Sequence, residues 1–291
     1  MAVENGAPII KVNNLHHNYL RGTPLEVVAL KGVDMEIFPG EAVGIIGRAG
    51  AGKSTVVQHF NGLIRPREPG KVIVDGLDLS DPTVNIKELR QRVGLVFQYP
   101  EDQLFERLLG DDIAFGPRKM GVPFAELRPR VQWAMEMVGL DFETFKDRYT
   151  FSLSGGEKRK EAIAGVLALK PKVLILDEST SGVDPRSRKD LLGRIRCLHE
   201  EHGMTVIFVS PNMEDMAGLV NKIFVMADGR TVMSGSTREI FAQREQLLEY
   251  GLGVPQVTEV MHELKARGYS ANLSVLSVEE AEAELWKILS S

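Results

Sequence analysis

Short, unbroken apolar runs recur along the chain and are the first pattern that predicts structure. Each run is three to five residues long, which is too short for a stable helix, and it lacks the alternation of a half-exposed strand. Strands that are buried on both faces, as in a parallel sheet, have this character. The runs lie at 42–46, 72–74, 93–97, 173–176 and 206–209. Before them, the pattern from Ile9 to Ile37 is strand-like. It has one short segment with Ile10, Val12 and Leu15 and a second, largely apolar run at 27–37, and Gly40 follows.

Helical spacing dominates the stretch from residue 99 to residue 168, between two of these runs. The apolar residues that share one face of its central helix are Val131, Met135 and Val138. Pro123 and Pro129 predict breaks within the stretch, because proline removes a backbone donor from a helix. A shorter helix is predicted from Ser54 to Leu63. The stretch 99–168 is therefore interpreted as a helical subdomain inserted into the sheet.

Residues 241–291 predict a small helical extension that follows a first domain of residues 1–240. The first of its helices is predicted between Pro255 and Gly268. Its apolar face is formed by Val257, Val260, Met261 and Leu264.

A second helix of the extension is predicted to begin at Ser277, which has the spacing of a capping box with Glu280. Its apolar side is formed by Val278, Ala281, Leu285 and Ile288. The two apolar faces need a partner, which is either each other or a second subunit. The extension is therefore a candidate dimerisation element.

The composition is that of an ordinary globular protein, with 43% hydrophobic and 26% charged residues among 291. No apolar stretch approaches the roughly 18 residues that span a bilayer, and Met1 to Pro8 show no signal peptide. The single cysteine, Cys197, cannot form an internal disulfide, which fits a reducing cytoplasm. The net charge of −5 does not indicate nucleic-acid binding, so membrane association is expected through a protein partner.

A phosphate-binding loop is predicted directly after the run at 42–46. The residues that satisfy G-x-x-x-x-G-K-[ST] are Gly47, Arg48, Ala49, Gly50, Ala51, Gly52, Lys53 and Ser54, and Thr55 follows them. The glycines let the backbone wrap around phosphate oxygens, with amide groups facing the anion. Lys53 would add charge for the β and γ phosphates, and Ser54 would bind Mg²⁺. The alternative, a glycine turn that matches by chance, is disfavoured by the strand before it and the helix after it.

Two carboxylates follow the run at 173–176, where the ends of buried strands in open α/β sheets carry ligands. Asp177 is predicted to hold Mg²⁺, directly or through water, and Glu178 to act as general base toward the attacking water. Taken alone, such a pair more often caps a helix. Beside a phosphate loop, the catalytic interpretation is favoured.

A second anion-binding helix start is predicted at Ser154, Gly155, Gly156 and Glu157, before a helix from Lys158 to Leu169. One chain needs only one cradle for the γ-phosphate. A second cradle makes sense if it serves ATP bound to another chain. The alternative is a serine-capped helix after a glycine turn.

These elements, in this order, resemble the ABC ATPases across nearly the whole chain. Leu153–Glu157 is similar to the signature loop of that family, usually L-S-G-G-Q, with Glu157 in place of the glutamine. The resemblance implies an α/β P-loop fold with a mostly parallel sheet, N-terminal antiparallel strands and a helical subdomain at about 99–168. It also implies ATP and Mg²⁺ as ligands, and a dimer in which each signature loop closes over the ATP of the opposite chain.

The resemblance assigns roles to further residues. Gln98 is similar to the glutamine that touches Mg²⁺ and the attacking water and couples the site to the membrane subunit. Ser181–Pro185 is similar to the loop that crosses the dimer interface. Tyr19 is similar to the aromatic residue that stacks on adenine, although a strand tyrosine is often only part of a core.

A narrower resemblance is to the ATPases of energy-coupling factor importers, which take up vitamins and, in related systems, cobalt or nickel. The segments that carry it are Gln58–Leu63, Gln98–Phe105, Asp111–Pro117, Ala162–Ala168 and Pro255–Thr258. Such importers usually pair two similar ATPases, and Gln58–Leu63 resembles the second type. The resemblance implies a homo- or heterodimer on the cytoplasmic face of the membrane. It also implies a membrane coupling subunit and a substrate-binding membrane subunit, with no nucleic acid as partner.

One position departs from the family in a way that matters for chemistry. Pro211 follows the run at 206–209, where family members carry a histidine that contacts the γ-phosphate, and proline offers no donor. We therefore expect this chain to bind Mg-ATP but to hydrolyse it weakly alone, while its Ser154 loop completes the site of a partner. Ser179, where the family usually has proline, is a milder change.

Two other functions compete with a transport ATPase. The first is a non-hydrolysing structural or regulatory subunit of the same kind of assembly, which Pro211 favours. The second is a soluble ABC ATPase of DNA repair or translation, which usually carries a long coiled-coil insertion or two fused cassettes. This chain has one cassette and no long heptad run, and an unrelated P-loop kinase would not explain the Ser154 loop.

Overall fold

The computed structural model describes residues 6–180 and 182–290. Its first sheet has four antiparallel strands and confirms the prediction of antiparallel strands near the N-terminus. Those strands, in spatial order, are β2 (Val27–Ile37), β1 (Ile10–Tyr19), β4 (Val72–Val74) and β5 (Leu77–Asp78). The run at 72–74 was expected in the parallel sheet, and this is wrong. Val74 pairs antiparallel with Ile10, and Ile73 is only half-buried, so one face of this strand faces outward.

The second sheet has six strands, and all but the edge strand β10 run parallel. In spatial order they are β10 (Arg230–Ser236), β9 (Lys222–Ala227), β3 (Ala42–Ile46), β8 (Thr205–Val209), β7 (Val173–Asp177) and β6 (Val93–Val96). Every residue of β3, β6, β7 and β8 is buried, as their unbroken apolar sequences predict.

An apolar core lies on each face of this sheet. Alternate residues point to opposite faces, so Ile45 contributes to one core and Ile46 to the other. The first core joins the six-stranded sheet to the four-stranded sheet and to the helix after the phosphate loop. The second core joins the sheet to the helices that follow β6 and β7. The sheet is therefore held on both sides, and its strand ends form a fixed edge.

Helices fill the rest of the chain. They are α1 (Lys53–Phe60), α2 (Ile86–Arg92), α3 (Leu109–Lys119), α4 (Phe124–Val138), α5 (Phe142–Phe145), α6 (Gly155–Leu167), α7 (Pro185–Glu200), α8 (Met213–Leu219), α9 (Thr237–Phe241), α10 (Arg244–Glu249), α11 (Gln256–Ala266) and α12 (Val278–Leu289). Helix α1 ends earlier than predicted because Gly62 has φ +67°, a left-handed conformation that stops a helix. None of the described helices is both long and apolar enough to cross a bilayer.

The stretch between β6 and β7 contains α3, α4 and α6, which pack on one another as a helical subdomain. The predicted face of α4 is buried, including Met135. The break predicted at Pro129 is wrong, because α4 continues through it. The proline removes only the bond to the carbonyl of Ala125, which is an exposed residue near the helix start, where water can replace the donor. Pro123 is at the N-terminal boundary of α4, as predicted.

The extension folds onto itself and onto the first domain. Met261, Val275 and Ala281 form a small apolar cluster between α11 and α12. Val260 and Val278 were expected on the apolar faces, and this is wrong, since their side chains are 48% and 68% exposed. The apolar stripe is therefore narrower than the sequence predicts. The division of domains at residue 240 stays a prediction, because α9 runs across that boundary.

Two ion pairs hold the extension, one between two of its helices and one to α9. The guanidinium of Arg244 on α10 contacts both carboxylate oxygens of Glu259 on α11, with Nε to Oε2 at 2.8 Å. Arg238 on α9 binds both oxygens of Glu280 on α12 at 2.6 and 3.0 Å. These hydrogen bonds from Arg238 are the main cause that lowers the pKa of Glu280 to about 2.

Candidate nucleotide-binding site

The phosphate loop lies between β3 and α1, as the sequence predicts. Gly52 precedes α1 with φ +97°, and no described side chain caps the helix. A Cβ atom at Gly52 would lie 2.7 Å from Leu30 Cδ2 and 2.9 Å from the carbonyl oxygen of Ala29. Only glycine fits here, and the first amide groups of α1 lack a side-chain cap. A helix start of this kind attracts an anion.

Lys53 is buried under this loop. Its Nζ donates to the carbonyl oxygens of Gly47 at 2.9 Å and of Arg48 at 3.2 Å. The same Nζ lies 3.7 Å from Oε1 of Glu178. The ammonium group is thus held at the loop with a carboxylate near it, where it can bind one more anionic oxygen.

Asp177 ends β7 and is 3% exposed. Burial raises the pKa of its carboxyl group, while the hydrogen bond from the Ser54 hydroxyl and the charge of Lys53 oppose that rise. Its Oδ1 atom has no hydrogen-bond partner among the described residues. A buried carboxylate oxygen without a donor, beside a serine hydroxyl, is an oxygen ligand set that fits Mg²⁺.

Glu178 has φ +48° and therefore sits in the left-handed region, which costs about 1–3 kcal/mol for such a residue. Its backbone N–H donates to the carbonyl oxygen of Val209 at 2.8 Å, which holds the turn in place. Gln98 Nε2 donates to Glu178 Oε2 at 3.0 Å. Because β6 and β7 are parallel neighbours, the residues that follow them meet at one edge of the sheet.

The Ser154 loop begins α6 with a reciprocal capping box. Ser154 Oγ accepts from the backbone N–H of Glu157, and the Glu157 carboxylate accepts from the Ser154 N–H at 2.8 Å. The Ser154 hydroxyl also lies 2.7 Å from Glu157 Oε2. These bonds lower the pKa of Glu157, so a negative charge sits at this helix start. Ser154 and Gly155 are both exposed.

An open cleft of about 600 Å³ separates the Ser154 loop from the start of α7. The residues that line it are Gln98, Tyr99, Ser154, Gly155, Gly156, Arg159, Gly182, Val183, Asp184 and Ser187. No phosphate-loop residue belongs to this lining within the described part of the chain. The structure brings Gln98 to both the cleft and Glu178, and it keeps Lys53 out of the cleft. Ser181, the first residue of the predicted interface loop, lies outside the described residues.

Tyr19 is the last residue of β1, close to α1. Its hydroxyl lies 3.2 Å from Thr55 Oγ1, and the residue is 39% exposed. His17 and His59 pack behind it, with ring centroids 4.6 Å from Tyr19 to His17 and 5.1 Å from His17 to His59. The ring thus has an open side next to the phosphate loop. The sequence carried no signal for the contact of the two histidines, which meet because β1 lies beside α1.

Pro211 follows β8, and its polar neighbours are engaged elsewhere. The Ser210 hydroxyl accepts from the backbone N–H of Asn212 at 3.1 Å. The Asn212 side chain accepts from the N–H of Asp215 at 2.9 Å and caps α8. Both side chains therefore take part in the turn between β8 and α8.

Sequence reasoning missed a buried carboxylate next to this turn. Asp215 is 5% exposed, lies 3.5 Å from Arg188 Nε, and accepts from Thr180 Oγ1 at 3.4 Å. It ties α8 to α7 and to the turn after Glu178. Its position in the first turn of α8 was the available signal, but a helix-capping role explains such an acid equally well.

Arg48 reaches from the phosphate loop to the extension. Gly251, just after α10, has φ +68°, and a Cβ atom there would lie 3.0 Å from Arg48 Cδ. A pocket of about 360 Å³ beside them is lined by Ala49 and Tyr250 among others. The phosphate loop is thus in direct contact with the start of the extension.

Comparison with known proteins places these features in a family. Residues 30–181 match the model of the ABC transporter family. A protein of Clostridium perfringens named energy-coupling factor transporter ATP-binding protein EcfA2 is 48% identical over 280 residues, 96% of this chain and 98% of that protein. The protein of the same name from Clostridium tetani is 45% identical over 97% of this chain and 98% of its own length.

Solved structures agree with these sequence relatives. CbiO1 of Clostridium perfringens, described as part of the ABC transporter complex CbiONQ, has a TM-score of 0.74 and 36% identity, and the match covers 89% of this chain and all of that one. The ATP-binding cassette MJ0796, solved as a dimer after hydrolysis with ADP and Pi, has a TM-score of 0.69 and 26% identity over 78% of this chain and 98% of that one.

The fold, the site and these likenesses define the class of protein as an ABC-type ATPase, an enzyme class that binds ATP with Mg²⁺. The chain belongs to the family of energy-coupling factor transporter ATP-binding proteins. This confirms both the general and the narrower resemblance, including the second type of the ATPase pair. An ABC ATPase of this family works with a second ATPase and with membrane components.

Proposed function

We propose that this chain is an ATP-binding and ATP-hydrolysing subunit of an energy-coupling factor importer on the cytoplasmic face of the membrane. The observation that carries the proposal is the convergence of Lys53, Glu178 and Gln98 within hydrogen-bond or ion-pair distance, beside the buried Asp177. These residues come from one phosphate loop and two neighbouring strand ends. The imported substrate is a vitamin or a metal ion, bound by a separate membrane subunit.

The nucleotide contacts proposed for this chain follow the geometry of the loop. Residues 47–55 surround the phosphates with amide groups and the Lys53 ammonium, and the open face of Tyr19 accepts the adenine. Ser54, Asp177 and Gln98 would hold Mg²⁺, which supplies charge neutralisation at the β and γ phosphates.

Hydrolysis in this proposal depends on Glu178 and Gln98. The Glu178 backbone is in the left-handed conformation, and the Oε1 atom of its carboxylate lies 3.7 Å from Lys53 Nζ. Its Oε2 atom accepts a hydrogen bond from Gln98. Glu178 would accept the proton of the attacking water at its carboxylate, and Gln98 would orient that water. Because Lys53 lies near one carboxylate oxygen and Gln98 is bonded to the other, the Glu178 side chain keeps one orientation. A fixed orientation favours proton transfer from a water molecule bound in one position.

The Ser154 loop is proposed to act on the nucleotide of a second ATPase. Ser154 and Gly155 are exposed, and they face a cleft whose described lining excludes the phosphate loop of this chain. An anion that enters this cleft would therefore come from another chain. Glu157 would first have to release the donors of Ser154.

Docking of the membrane coupling subunit is proposed on the aromatic surface next to Gln98. The side chains of Tyr99, Phe105, Tyr149 and Phe151 are between 51% and 69% exposed. Arg107 connects part of this surface, since its guanidinium lies 5.0 Å from the centre of the Tyr149 ring. Exposed aromatic side chains in one region mark a protein-binding surface. Movement at Gln98 would reach this surface through Tyr99.

The catalytic strength of this site is proposed to be low because of Pro211. One positioned polar group contributes roughly 10²–10⁴-fold to a rate, and Ser210 and Asn212 are both engaged. This same observation favours a second candidate function, a subunit that binds ATP to hold the assembly and leaves hydrolysis to its partner.

ATP turnover tests both functions. The purified chain alone should bind ATP and turn it over slowly, and Pro211→His should raise the rate by roughly 10²–10⁴-fold. Adding Glu178→Gln to Pro211→His should remove that gain, whereas Glu279→Gln, an exposed acid on α12, should not. Fast turnover by the unaltered chain would sink the weak-site proposal. No gain from Pro211→His, with ATP binding intact, would favour the non-hydrolysing subunit.

A further inference from the structure

Three metal-ligating side chains come together at the C-terminal end of α7. They are Cys197, Glu201 and His202, and one ligand atom of each lies within 4.8 Å of the others. The cluster lies apart from the nucleotide site, and neither the proposed ATPase chemistry nor the family comparison uses it. Glu201 and His202 are exposed and Cys197 is half-buried, so an ion can reach them from solvent.

The local fold explains why these residues meet. Cys197 and Glu201 are four residues apart on a helix, which places their side chains on the same face. The helix stops at this point, and the N–H of Glu201 donates to the carbonyl oxygen of Cys197 at 2.9 Å. Gly203 has φ +64° and turns the chain back, so that His202 stays next to the last turn of the helix.

The electrostatics of this helix end favour a cation. The C-terminus of a helix carries a partial negative charge, and Glu200 and Glu201 add to it. Arg194 lies on the same helix, and its guanidinium is paired with Asp190 at 3.2 Å.

We propose that Cys197, Glu201 and His202 form a binding site for one Zn²⁺-like divalent cation. A thiolate sulfur, an imidazole nitrogen and a carboxylate oxygen are the three ligand types that Zn²⁺ uses in proteins. Three protein ligands leave a fourth tetrahedral position for water. Binding exchanges the thiol proton, which is released to solvent, for the ion, and nothing is oxidised or reduced.

His202 links this cation site to the helical subdomain. Its ring packs edge-on against Trp133 of α4, with centroids 6.3 Å apart. Trp133 in turn packs against the second core, which joins the six-stranded sheet to the helices after β6 and β7. A cation that holds the imidazole would therefore restrain the contact between α7 and α4, and it would sit close enough to alter the fluorescence of Trp133.

Titration with Co²⁺, followed by competition with Zn²⁺, tests the site in the full-length chain. Cys197 is the only cysteine, so a thiolate-to-Co²⁺ charge-transfer band can arise at no other position in this chain. The nucleotide site offers oxygen ligands from Ser54 and Asp177 and gives no such band. We expect the band to saturate at one Co²⁺ per chain, to be lost on adding Zn²⁺, and to accompany quenching of Trp133 fluorescence.

Variants distinguish a three-ligand metal site from Co²⁺ binding by the Cys197 thiol alone. Cys197→Ser should abolish the band, and His202→Ala and Glu201→Gln should each weaken Co²⁺ binding by roughly tenfold or more, as loss of even an outer partner does. Trp133→Phe should keep the band and lose the quenching. His199→Ala is the matched control, because its Nδ1 faces the carbonyl oxygen of Met204 instead, and it should change nothing.

Two results would overturn the proposal. One is the absence of a thiolate band when Co²⁺ equals the protein concentration, with folding verified by circular dichroism. The other is a band whose affinity is unchanged in both His202→Ala and Glu201→Gln, which would indicate a lone thiol. ATP turnover plays no part in these measurements, so they stand or fall separately from the proposed ATPase function.

Discussion

Two helix starts in this protein are proposed to meet a phosphate group, and their caps differ. At α1, Gly52 leaves the first amide groups without a side-chain cap, while Lys53, Glu178 and Asp177 lie around them. At α6, Ser154 and Glu157 cap each other fully and face an open cleft. The first site is assembled within one chain.

The second helix start has different surroundings, with Arg148 Nη1 3.8 Å from Glu157 Oε1 and Arg159 in the lining of the cleft. Its loop is exposed, its donors are engaged by its own glutamate, and the cleft beside it is wide. A helix end that is satisfied internally is stable without a ligand, whereas an uncapped one gains from binding an anion. The difference predicts that bound nucleotide stabilises the start of α1 more than the start of α6.

The largest expected effect is on the pH dependence of the free energy of unfolding, to which α1 and α6 contribute with opposite signs. Each buries a neutral titratable group: burial lowers the pKa of His59 on α1 to about 4, and raises the pKa of Glu161 on α6 to about 7. His59 Nδ1 donates to the Thr55 carbonyl oxygen, and the Thr150 hydroxyl donates to Glu161. Since each pKa unit corresponds to about 1.36 kcal/mol, each group is linked to about 3 kcal/mol of unfolding free energy.

The two pH dependences have opposite signs. Stability linked to His59 is present above pH 6.5 and is lost as the pH falls through about 4, because the unfolded state takes up the proton first. Stability linked to Glu161 is present below pH 4.5 and is lost as the pH rises through about 7. In the unaltered chain these trends oppose each other between pH 4.5 and 6.5.

Denaturant unfolding at several pH values measures this directly. In His59→Asn, stability should fall with rising pH between 4.5 and 7, since the Glu161 contribution is no longer opposed by that of His59. In Glu161→Gln, it should fall with decreasing pH between 6.5 and 4. Parallel curves for both variants would show that neither residue is held neutral.

The next effect tests the glycine that each loop uses. Gly52→Ala places a Cβ atom under 3.0 Å from two neighbours at φ +97°, which we expect to cost about 1–3 kcal/mol and to weaken ATP binding at least tenfold. Gly155→Ala meets no atom within 4 Å of the new Cβ. It should leave both stability and ATP binding by the isolated chain unchanged, as measured by thermal melting and fluorescent nucleotide titration. Equal losses in the two variants would contradict the distinction between the two loops.

A smaller effect concerns the cap of α6. Ser154→Ala removes the side chain that accepts from Glu157 N–H, and we expect a loss of about 1 kcal/mol of unfolding free energy. ATP binding to the isolated chain should stay the same, while turnover with the second ATPase should fall. Ser236→Ala, at the equivalent capping box of α9, is the control that should lower stability without changing turnover.

The smallest expected effect comes from the charge of Glu157. Glu157→Gln keeps a side chain that can accept a hydrogen bond from Ser154. It removes a negative charge at the place proposed for a phosphate of the ATP bound by the second ATPase. Charge removal at a partly exposed site is worth roughly 1 kcal/mol or less, so turnover with the second ATPase should rise by a few-fold. A fall in that turnover would mean that the carboxylate itself is needed.

The strand ends and the phosphate loop could be predicted from the sequence because burial on both faces and a glycine motif leave few alternatives. Val173–Asp177 shows this, since a fully apolar run leads into two acids at the sheet edge. The prediction of a break at Pro129 was wrong because a proline near a helix start costs little free energy when water can bind the carbonyl oxygen that loses its partner, here that of the exposed Ala125. The prediction for Val278 was wrong because helical spacing shows which side of a helix is apolar but not how much of that side is buried.

Other parts of the candidate site depend on contacts between distant segments. The packing of His17 on His59 arises from β1 lying beside α1, which no local pattern encodes. Asp177 Oδ1 has no hydrogen-bond partner among the described residues, and Glu178 has a strained backbone; both features arise only once the neighbouring strands are in register. Sequence patterns identify the residues here, and tertiary packing determines their state.

The contact between Arg48 and Gly251 limits how this chain can vary. Position 251 has φ +68°, and a Cβ atom there would lie 3.0 Å from Cδ of the exposed Arg48 side chain, so a substitution is strained and displaces that side chain of the phosphate loop. A substitution more than 190 positions along the chain from Gly52 would therefore be felt where the triphosphate lies. Mutational scans of the extension should find substitutions of Gly251 costly, although this residue carries no chemistry.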